Sequence, residues 1–559
     1  MDTQRLLLYM ALSFLGLILY QTWQQDYHAP EIVTPTVAAD GVTPLEPAPV
    51  DLPQAAGTPA QAAETSAVPA TDSAAAAPSV RVKTDVLDVS ISSVGGTIES
   101  VLLLDYPVSI EKPDEPFVLG SNKPSRFLAA ESGLQSRANE PAPTHLAQLT
   151  STGPSEIIMS DGGTAVVPFT WVSEKGVEVT KTLTLKSGSY EIDVEYNIVN
   201  NSSEAWPVNQ YRQLKRKRAT KDEKQQFVNT YIGAVISNDE DVYNKVTLGD
   251  IEDENLNEVV TNGWVAMIQH YFATAWIPTQ NENNTAYTRF VSAAENRYII
   301  GMVSDTQSVP AGGSAKFSTK AFVGPKIQKT LGAAAPNLDL TVDYGWLSII
   351  ARPLFWLLDK IHSIVGNWGW AIIFTTVVIK AVFYKLSEAS YKSMARMKLL
   401  QPKLASLKER YGDDRAKMGQ ATMEMYKKEK VNPLGGCLPM LVQIPVFIAL
   451  YWTLLESVEL RQAPWMFHIK DLSIKDPLFI LPVLMAVSMY IQQKLNPAPV
   501  DPIQAKVFQF LPLIFGVFFA MFPAGLVLYW VVNNTLSIMQ QYYITRYVIG
   551  DGSKKAKAA

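Results

Sequence analysis

Cysteine is almost absent from this chain of 559 residues, in which Cys437 stands alone. A single thiol cannot form an intrachain disulfide, and no cysteine cluster can hold zinc or an iron–sulfur centre. The five histidines are scattered without the HExxH spacing of a zinc hydrolase, and Walker A and GxSxG motifs are missing. Cys437 has no histidine near it in sequence, which favours a small packed residue over a nucleophile. We therefore expect neither an enzyme nor a metal or other cofactor.

Charged residues are scarce as well, at 18% of the chain against about 25% in typical soluble domains. This deficit indicates that part of the surface faces lipid. The charges also divide unevenly. Residues 6–345 contain 23 Lys+Arg and 39 Asp+Glu, a net of −16, whereas residues 346–559 contain 24 and 13, a net of +11. An acidic half joined to a basic, apolar half argues for two compartments.

The first apolar run, 6–20, follows the cation Arg5 and ends with Tyr20 and Trp23. Extended to Trp23, the eighteen residues 6–23 rise roughly 27 Å as a helix, enough to cross a bilayer. No small-x-small cleavage site follows Tyr20, so residues 1–23 predict an uncleaved signal anchor rather than a cleaved signal peptide. Residues 24–79 are rich in alanine, proline and threonine and predict a disordered tether.

Residues 80–343 change to a hydrophobic period of two. Segments 177–185 and 190–198 alternate along their length around a Lys-Ser-Gly-Ser turn, which is typical of a hairpin. Further strands are expected at 97–104, 297–303 and 316–323, so this half predicts a large antiparallel β-sandwich. The apolar run 263–278 is too short and polar for a membrane span, and we place it inside the sandwich.

A basic cluster, 215–218, interrupts the acidic half with the sequence KRKR. It could suggest nucleic acid, but in so acidic a domain a solvated loop is the better interpretation. We expect no specific DNA binding.

Residues 344–365 predict an amphipathic helix that lies in the membrane interface. Its polar residues, Ser348, Arg352, Asp359 and Ser363, fall on one narrow stripe of an otherwise apolar cylinder. Pro353 within it predicts a kink.

Five further apolar segments, within a core at 366–546, predict membrane spans: 368–386, 438–457, 478–492, 507–522 and 526–543. Between the first two, residues 385–430 carry twelve cations against six anions, whereas loop 458–477 has no such excess. The positive-inside rule therefore places 385–430, loop 493–506 and the basic tail 547–559 in the cytoplasm. Six spans with both termini inside put residues 24–345 on the outer side of the membrane.

Lys380 interrupts the first of these spans. A cation at the bilayer centre costs about 2.5–3.5 kcal/mol, and such residues usually face a cavity and carry function. Snorkelling is the alternative, because Lys380 lies about 9 Å from the end of the segment. Thr376 shares its side of the helix, which favours a wet face. Polar residues recur in the other spans: Gln443, Ser488, Gln509, Asn533, Asn534 and Ser537.

Each of these polar residues singly is explained by interhelical hydrogen bonding, but together with Lys380 they predict a water-filled groove. Residues 386–431 predict a helical hairpin with five methionines among many cations. The methionines are either an adaptable surface for apolar partners or the core of the hairpin itself.

Three motifs carry a specific resemblance: NPLGGCLPMLVQIPVF at 432–447, LRQAP at 460–464 and FPAGLVLYW at 522–530. With them the chain closely resembles the YidC family, the bacterial membrane protein insertases related to those of mitochondria and chloroplasts. GWVAM at 263–267 and the signal-anchor arrangement resemble the Gram-negative type, which has a large periplasmic domain. The resemblance covers essentially the whole chain outside the tether.

The resemblance implies an insertase and chaperone of the bacterial inner membrane, without ATPase activity, that acts alone or with the Sec translocon and its accessory subunits. Its implied partners are nascent integral membrane proteins, the translating ribosome at the cytoplasmic face and membrane lipid. It also implies a groove open to cytoplasm and lipid around Lys380, a position where relatives commonly have arginine; lysine keeps the charge but loses bidentate carboxylate binding. The implied substrate contacts are Gln443, Ile444, Pro445, Phe447, Phe518, Tyr529 and Trp530.

Two other classes of function stay open. A secondary transporter could bind a small anion at Lys380, although the five clustered spans show no internal repeat. A sensor or carbohydrate binder would instead rely on the β-sandwich.

Overall fold

The computed structural model describes residues 52–53, 78–123, 126–136, 141–159, 162–219, 230–291, 296–411, 414–429, 438–496 and 502–549. The predicted signal anchor 1–23, nearly all of the predicted tether 24–79 and most of the basic tail 547–559 lie outside these residues.

The first half of the described chain is built of β-strands. In chain order they are β1 (Ser79–Lys83), β2 (Leu87–Ser92), β3 (Ile98–Ser109), β4 (Lys112–Gly120), β5 (Leu128–Ser136), β6 (Thr150–Ser151), β7 (Glu156–Ile158), β8 (Thr164–Val172), β9 (Val177–Lys186), β10 (Glu191–Asn200), β11 (Trp206–Lys217), β12 (Gly233–Ser237), β13 (Asn244–Val246), β14 (Asn257–Thr261), β15 (Trp264–Ile268), β16 (Phe272–Pro278), β17 (Asn283–Phe290), β18 (Arg297–Ser304), β19 (Gln307–Val309) and β20 (Ser314–Pro325).

These strands form two sheets. One has the order β14-β17-β18-β11-β5-β3-β2-β1-β7, with β19 on β11 and β4 on β3, and the other runs β13-β12-β15-β16-β20-β10-β9-β8-β6. The pairing is antiparallel except between β1 and β7. Side chains from both sheets share one core, in which Trp206, Trp264 and Trp276 are fully buried. The predicted antiparallel β-sandwich is therefore confirmed.

The period-two pattern locates individual strands well. β9 alternates between buried and more exposed side chains along its whole length and pairs with β10, as the predicted hairpin requires. Gly188 in the connecting turn has φ of +71°, a conformation that glycine adopts without strain. The run 263–278 forms the wholly buried hairpin of β15 and β16, so its predicted place inside the sandwich is correct.

The predicted solvated loop at the basic cluster 215–218 is wrong. Lys215 and Arg216 lie in β11, which pairs with β5 on one side and β18 on the other, and both side chains are buried. Arg216 donates to the backbone oxygen of Ile268, and the Lys215 ammonium lies over the ring of Phe127. β11 is buried along almost its whole length, so both of its faces are covered and even its charged side chains have little access to water.

The second half of the described chain is mainly helical. The α-helices, counting two short ones in and after the sandwich, are α1 (Leu248–Asp253), α2 (Gln328–Ala334), α3 (Ser348–Val365), α4 (Trp368–Val382), α5 (Tyr384–Leu399), α6 (Gln401–Tyr411), α7 (Arg415–Lys428), α8 (Leu438–Glu456), α9 (Ile480–Leu495), α10 (Pro502–Phe519) and α11 (Ala524–Tyr543). Short 3₁₀ helices cover Leu338–Thr341, Gly345–Leu347 and Val458–Leu460, and a π-helix, Ile544–Ile549, continues α11.

The helices fall where the apolar segments were expected, with one correction. The segment 368–386 is not a single helix, because α4 ends at Val382 and α5 begins at Tyr384 at an angle of 69°. Within the described residues, α4 and α5 reach the length and hydropathy of a membrane span only as a pair, and no helix reaches them alone. The number of spans therefore stays a prediction.

The predicted hairpin 386–431 is divided more finely than its pattern indicated. Its first arm is broken at Leu400, so that α5 and α6 are separate helices, and α7 returns along α6. Lys403 on α6 forms an ion pair of 2.5 Å with Glu429 at the end of α7.

Helix α3 presents two different faces. Ala351, Phe355 and Leu358 are buried in the core, whereas Trp346, just before the helix, and Ile349 are 81% and 83% exposed. The helix continues through Pro353, which lies on the exposed side.

Candidate functional site

Lys380 faces the interior of the helix bundle. It lies in the last turn of α4, and only 9% of its surface is exposed. Its Nζ donates a hydrogen bond of 2.8 Å to Ser537 Oγ on α11. Ser537 Oγ in turn donates to the backbone oxygen of Asn533 at 2.7 Å. The ammonium therefore points towards a neighbouring helix, and the snorkelling alternative is not the arrangement adopted.

Thr376 lies one turn before Lys380 on the same buried side of α4. Its hydroxyl donates to the backbone oxygen of Ile372 at 2.7 Å, within its own helix, rather than to the lysine. The adjacent Thr375 is also buried, and its hydroxyl has no hydrogen-bond partner among the described residues. The end of α4 is thus polar on its interior side, as the spacing of these residues predicted.

Helix α11 carries a stripe of buried polar side chains. Asn534, Ser537 and Gln541 follow one another at helical spacing, and all three are buried. Asn534 donates to Ser488 on α9 at 3.2 Å, so these two residues make the interhelical bond that was the alternative explanation for them. Asn533 is half-buried, and Gln509 on α10 is exposed.

An aromatic cluster joins α8, α10 and α11. Phe447 stacks on Tyr529 with ring centroids 5.9 Å apart and meets the edge of Trp530 at 4.7 Å. Trp530 contacts Phe519 at 5.5 Å, and Phe519 contacts Phe518 at 5.5 Å. The structure thus brings together four of the implied substrate contacts: Phe447, Phe518, Tyr529 and Trp530.

The remaining implied contacts lie beside this cluster. Gln443 is half-buried one turn before Phe447. Ile444 is exposed, and Pro445 lies inside α8, where it removes one backbone hydrogen bond.

Lys380 and the aromatic cluster lie on the same side of α11. Trp530 and Ser537 are seven residues apart, which is almost two whole turns and about 10 Å along the helix axis. A molecule passing along this side of α11 would therefore meet a cation near one end and aromatic rings towards the other.

A second buried charge fixes the far end of α8, and the sequence pattern did not single it out. Glu456, the last residue of α8, pairs with Lys326 after β20 at 3.2 Å, and both are almost fully buried. Lys326 also donates to the backbone oxygen of Thr341 at 3.0 Å. The sequence contains one indication of this pair, an acidic residue in the last turn of an apolar segment. Such a residue needs a partner when it is buried.

Further hydrogen bonds join the sandwich to the same region. His270 Nε2 donates to the backbone oxygen of Leu455 at 2.9 Å, and burial lowers the pKa of His270 to about 3. The imidazole is therefore neutral at pH 7, with its proton on Nε2. Arg461 and Gln462 each donate to the backbone oxygen of Pro107 at 2.7 Å. We call the contacts of Lys326, His270, Arg461 and Gln462 the junction.

Comparison with known proteins matches both halves of the chain. The model of the YidC periplasmic domain matches residues 79–357, and that of the 60Kd inner membrane protein matches residues 360–551. The membrane protein insertase YidC of Nitrosococcus oceani is 48% identical over 99% of this chain and 100% of its own. That of Methylococcus capsulatus is 49% identical over 98% and 99%.

Among solved structures, one described as an active YidC insertase with its first transmembrane domain resolved covers 84% of this chain and 93% of its own, at 18% identity and a TM-score of 0.38. The matched families are those of an insertase and not of an enzyme. On the two domain models and the full-length identities, this chain belongs to the YidC family of membrane protein insertases.

Proposed function

We propose that this protein inserts integral membrane proteins into the bacterial inner membrane and assists their folding, alone or with the Sec translocon. The observation that carries the proposal is the interior ammonium of Lys380, held at Ser537 on the same side of α11 as the aromatic cluster. A cation followed by an apolar surface suits a client with a short acidic tail and an apolar segment.

Lys380 attracts the acidic tail of the client into a hydrophilic groove open to the cytoplasm. In such a groove the tail crosses a shorter hydrocarbon path, so its desolvation costs less. The membrane potential assists an acidic tail by about 2.3 kcal/mol per charge per 100 mV. Thr376 and Gln443 line the groove in this proposal and keep it hydrated.

The apolar segment of the client then moves along the aromatic cluster into lipid. Ile444 and Phe518 are exposed at the edge of this cluster, where a client helix can reach them. Pro445 interrupts the backbone hydrogen bonding of α8 at that point. Phe447, Tyr529 and Trp530 form the wall of the path behind these exposed residues. Transfer of apolar surface from water to lipid supplies the driving force, so the proposed mechanism needs no nucleotide.

The proposed topology has six spans with both termini in the cytoplasm and the sandwich in the periplasm. The exposed apolar side of α3 supports its position in the membrane interface, because Trp346 and Ile349 would otherwise face water. Helices α5, α6 and α7 form the cytoplasmic hairpin 386–431, whose cations and methionines receive clients from the translating ribosome.

Site-specific crosslinking tests this proposal. A photoreactive residue at Ile444 or Phe518 should crosslink to the apolar segment of a stalled nascent membrane protein. The same residue at Val483, which is exposed on α9, is the matched control and should crosslink to lipid instead. Equal crosslinking of the nascent chain at all three positions would contradict the proposed path.

A further inference from the structure

A cavity of about 170 Å³, open on one side, lies where α5, α9 and the end of α11 meet. Its walls combine two cations, Lys398 on α5 and Arg546 on the π-helix, with the apolar side chains of Met394 and Leu495. Neither the groove at Lys380 nor the aromatic cluster contributes a residue to it. The proposed insertion mechanism therefore leaves this cavity without a role.

The two cations give the cavity an affinity for an anion. Lys398 lies one turn after Met394 on α5, so charged and apolar groups alternate on the side of the helix that faces the cavity. Both cations are exposed and therefore accessible to a ligand. A phosphate attached to an apolar group matches this combination better than a free inorganic anion, which has nothing to place against Met394 and Leu495.

Gln541 favours a ligand that carries a hydrogen-bond donor. It lines the cavity, and only 4% of its surface is exposed. Its Nε2 donates to Asn496 Oδ1 at 3.1 Å, and its Oε1 has no hydrogen-bond partner among the described residues. A buried acceptor left without a donor is costly, so a ligand with an N–H or O–H group is favoured here.

The backbone at the cavity is also unusual. Arg546 and Thr545 belong to the π-helix Ile544–Ile549, which widens the chain directly after the regular α11. π-helical segments are rare and often occur at functional sites. This segment places Thr545 one turn after Gln541 and brings Arg546 to the mouth of the cavity.

We propose that this cavity binds the headgroup of a glycerophospholipid. The phosphate lies between Lys398 and Arg546, and the ammonium of phosphatidylethanolamine or a hydroxyl of phosphatidylglycerol donates to Gln541 Oε1. The volume accommodates a headgroup but not acyl chains, which extend past Met394 and Leu495 into the bilayer. The inference requires the bundle to lie in a membrane and does not depend on Lys380.

Lipid titration of the full-length protein tests the proposal. Delipidated protein is titrated with phosphatidylglycerol or phosphatidylethanolamine, and bound lipid is counted by native mass spectrometry. Lys398→Ala/Arg546→Ala should weaken binding at least about tenfold, because both charge-assisted contacts to the phosphate are lost. Lys427→Ala/Lys428→Ala, which removes two exposed cations of α7 outside the cavity, is the matched control and should bind as the unaltered protein does.

A second variant tests the donor requirement. Gln541→Leu should reduce the preference for phosphatidylethanolamine and phosphatidylglycerol over phosphatidylcholine, whose headgroup has no donor. Unchanged binding by the Lys398/Arg546 variant, an equal loss in the control, or displacement of the lipid by millimolar inorganic phosphate would each overturn the proposal. Client insertion is not the readout, so this result is separate from the test of the proposed function.

Discussion

Lys380 is buried beside a hydroxyl and not beside a carboxylate. Ser537 supplies a hydrogen bond but no opposite charge, so the pairing seen in the described residues leaves the charge of the ammonium uncompensated. A lysine neutralised by a buried acid would have little attraction left for a client. The choice of partner therefore suits a residue that recruits acidic groups from outside the bundle.

We expect the bond between Lys380 and Ser537 to contribute measurably to the stability of the bundle. Ser537→Ala removes the acceptor of a buried ammonium and should lower the thermal stability by an amount equivalent to about 1–3 kcal/mol. In a Lys380→Met background the same substitution should cost much less, because no ammonium needs the hydroxyl. Thr535→Ala, on the exposed side of α11, is the control. Equal losses with and without Lys380 would show that the bond is unimportant.

Lys181 makes a second residue-scale prediction, inside the sandwich. Its Nζ donates to the backbone oxygens of Gly95 at 2.7 Å and Ser132 at 3.1 Å, and burial lowers its pKa from 10.5 to about 7. Between these two pKa values the unfolded chain binds more protons than the folded one. The stability of the sandwich should therefore rise as the pH rises from about 7 towards 10.5, by up to about 1.4 kcal/mol per pH unit.

This pH dependence is measured as the unfolding temperature of the full-length protein, followed by tryptophan fluorescence. Lys181→Met should flatten the rise above pH 7. Lys186→Met, which removes an exposed lysine paired with Asp193, should leave it unchanged. A slope that survives in Lys181→Met would assign the pH dependence to other groups.

At the scale of elements, the sequence pattern located strands and helices better than it located their environments. Alternation along β9 and β10 located their ends to within two residues, because one face of each strand is buried against the other sheet. The charges of β11 led to the wrong prediction of a surface loop. Its place between β5 and β18 depends on pairing with distant segments, which its own composition does not show. The bend between α4 and α5 was missed because Phe383 and its neighbours are apolar and include no glycine or proline that would mark the end of a helix.

In the candidate site, too, the sequence identified single residues better than the contacts between them. Lys380 was identifiable because a cation in an apolar segment is costly, and its helical spacing from Thr376 was correct. The partner Ser537 could be named only as one of six polar residues, because the contact joins side chains 157 residues apart. The pair of Lys326 and Glu456 depends on a contact across 130 residues, which no local pattern contains.

Helix α8 is held at its end by that ion pair, and we expect the pair to be strongly coupled. Lys326→Met or Glu456→Met alone leaves an uncompensated buried charge, which should cost about 3–5 kcal/mol of stability. The double variant removes both charges and should cost less than either single variant. Removing the exposed pair of Lys186 and Asp193 in the same way should cost below about 1 kcal/mol. Additive losses at Lys326 and Glu456, measured by thermal unfolding, would contradict this coupling.

On the scale of the whole molecule, the β-sandwich shares an apolar core with Ala351 and Phe355 of α3 and Ala449 of α8, and the junction adds polar contacts to it. Lys326 and the segment that follows it reach the end of α8, the helix that also carries Gln443, Ile444 and Phe447. The bulk of the sandwich lies before residue 321. Insertion should therefore depend more on the short segment at the junction than on the rest of the domain.

Deletion of residues 84–320 with 321–343 retained should leave insertion of a small single-span client largely intact. The same deletion carrying Lys326→Met should insert poorly, because Glu456 then lacks its partner. Insertion is measured as protease protection of the client in membrane vesicles, with protein levels matched. A sensor or carbohydrate binder depends on the sandwich itself. An equal loss of function in both deletions would therefore argue against an insertase.

The most direct measurement of the central claim varies the charge at position 380 against the charge of the client tail. Insertion of a client with an acidic tail should fall at least about tenfold with Lys380→Glu, persist with Lys380→Arg, and recover partly in Lys380→Glu when the tail is made basic, as expected for charges that meet at low dielectric. If Lys380→Glu inserted the acidic-tailed client as well as the unaltered protein does, recruitment by the ammonium would be disproved.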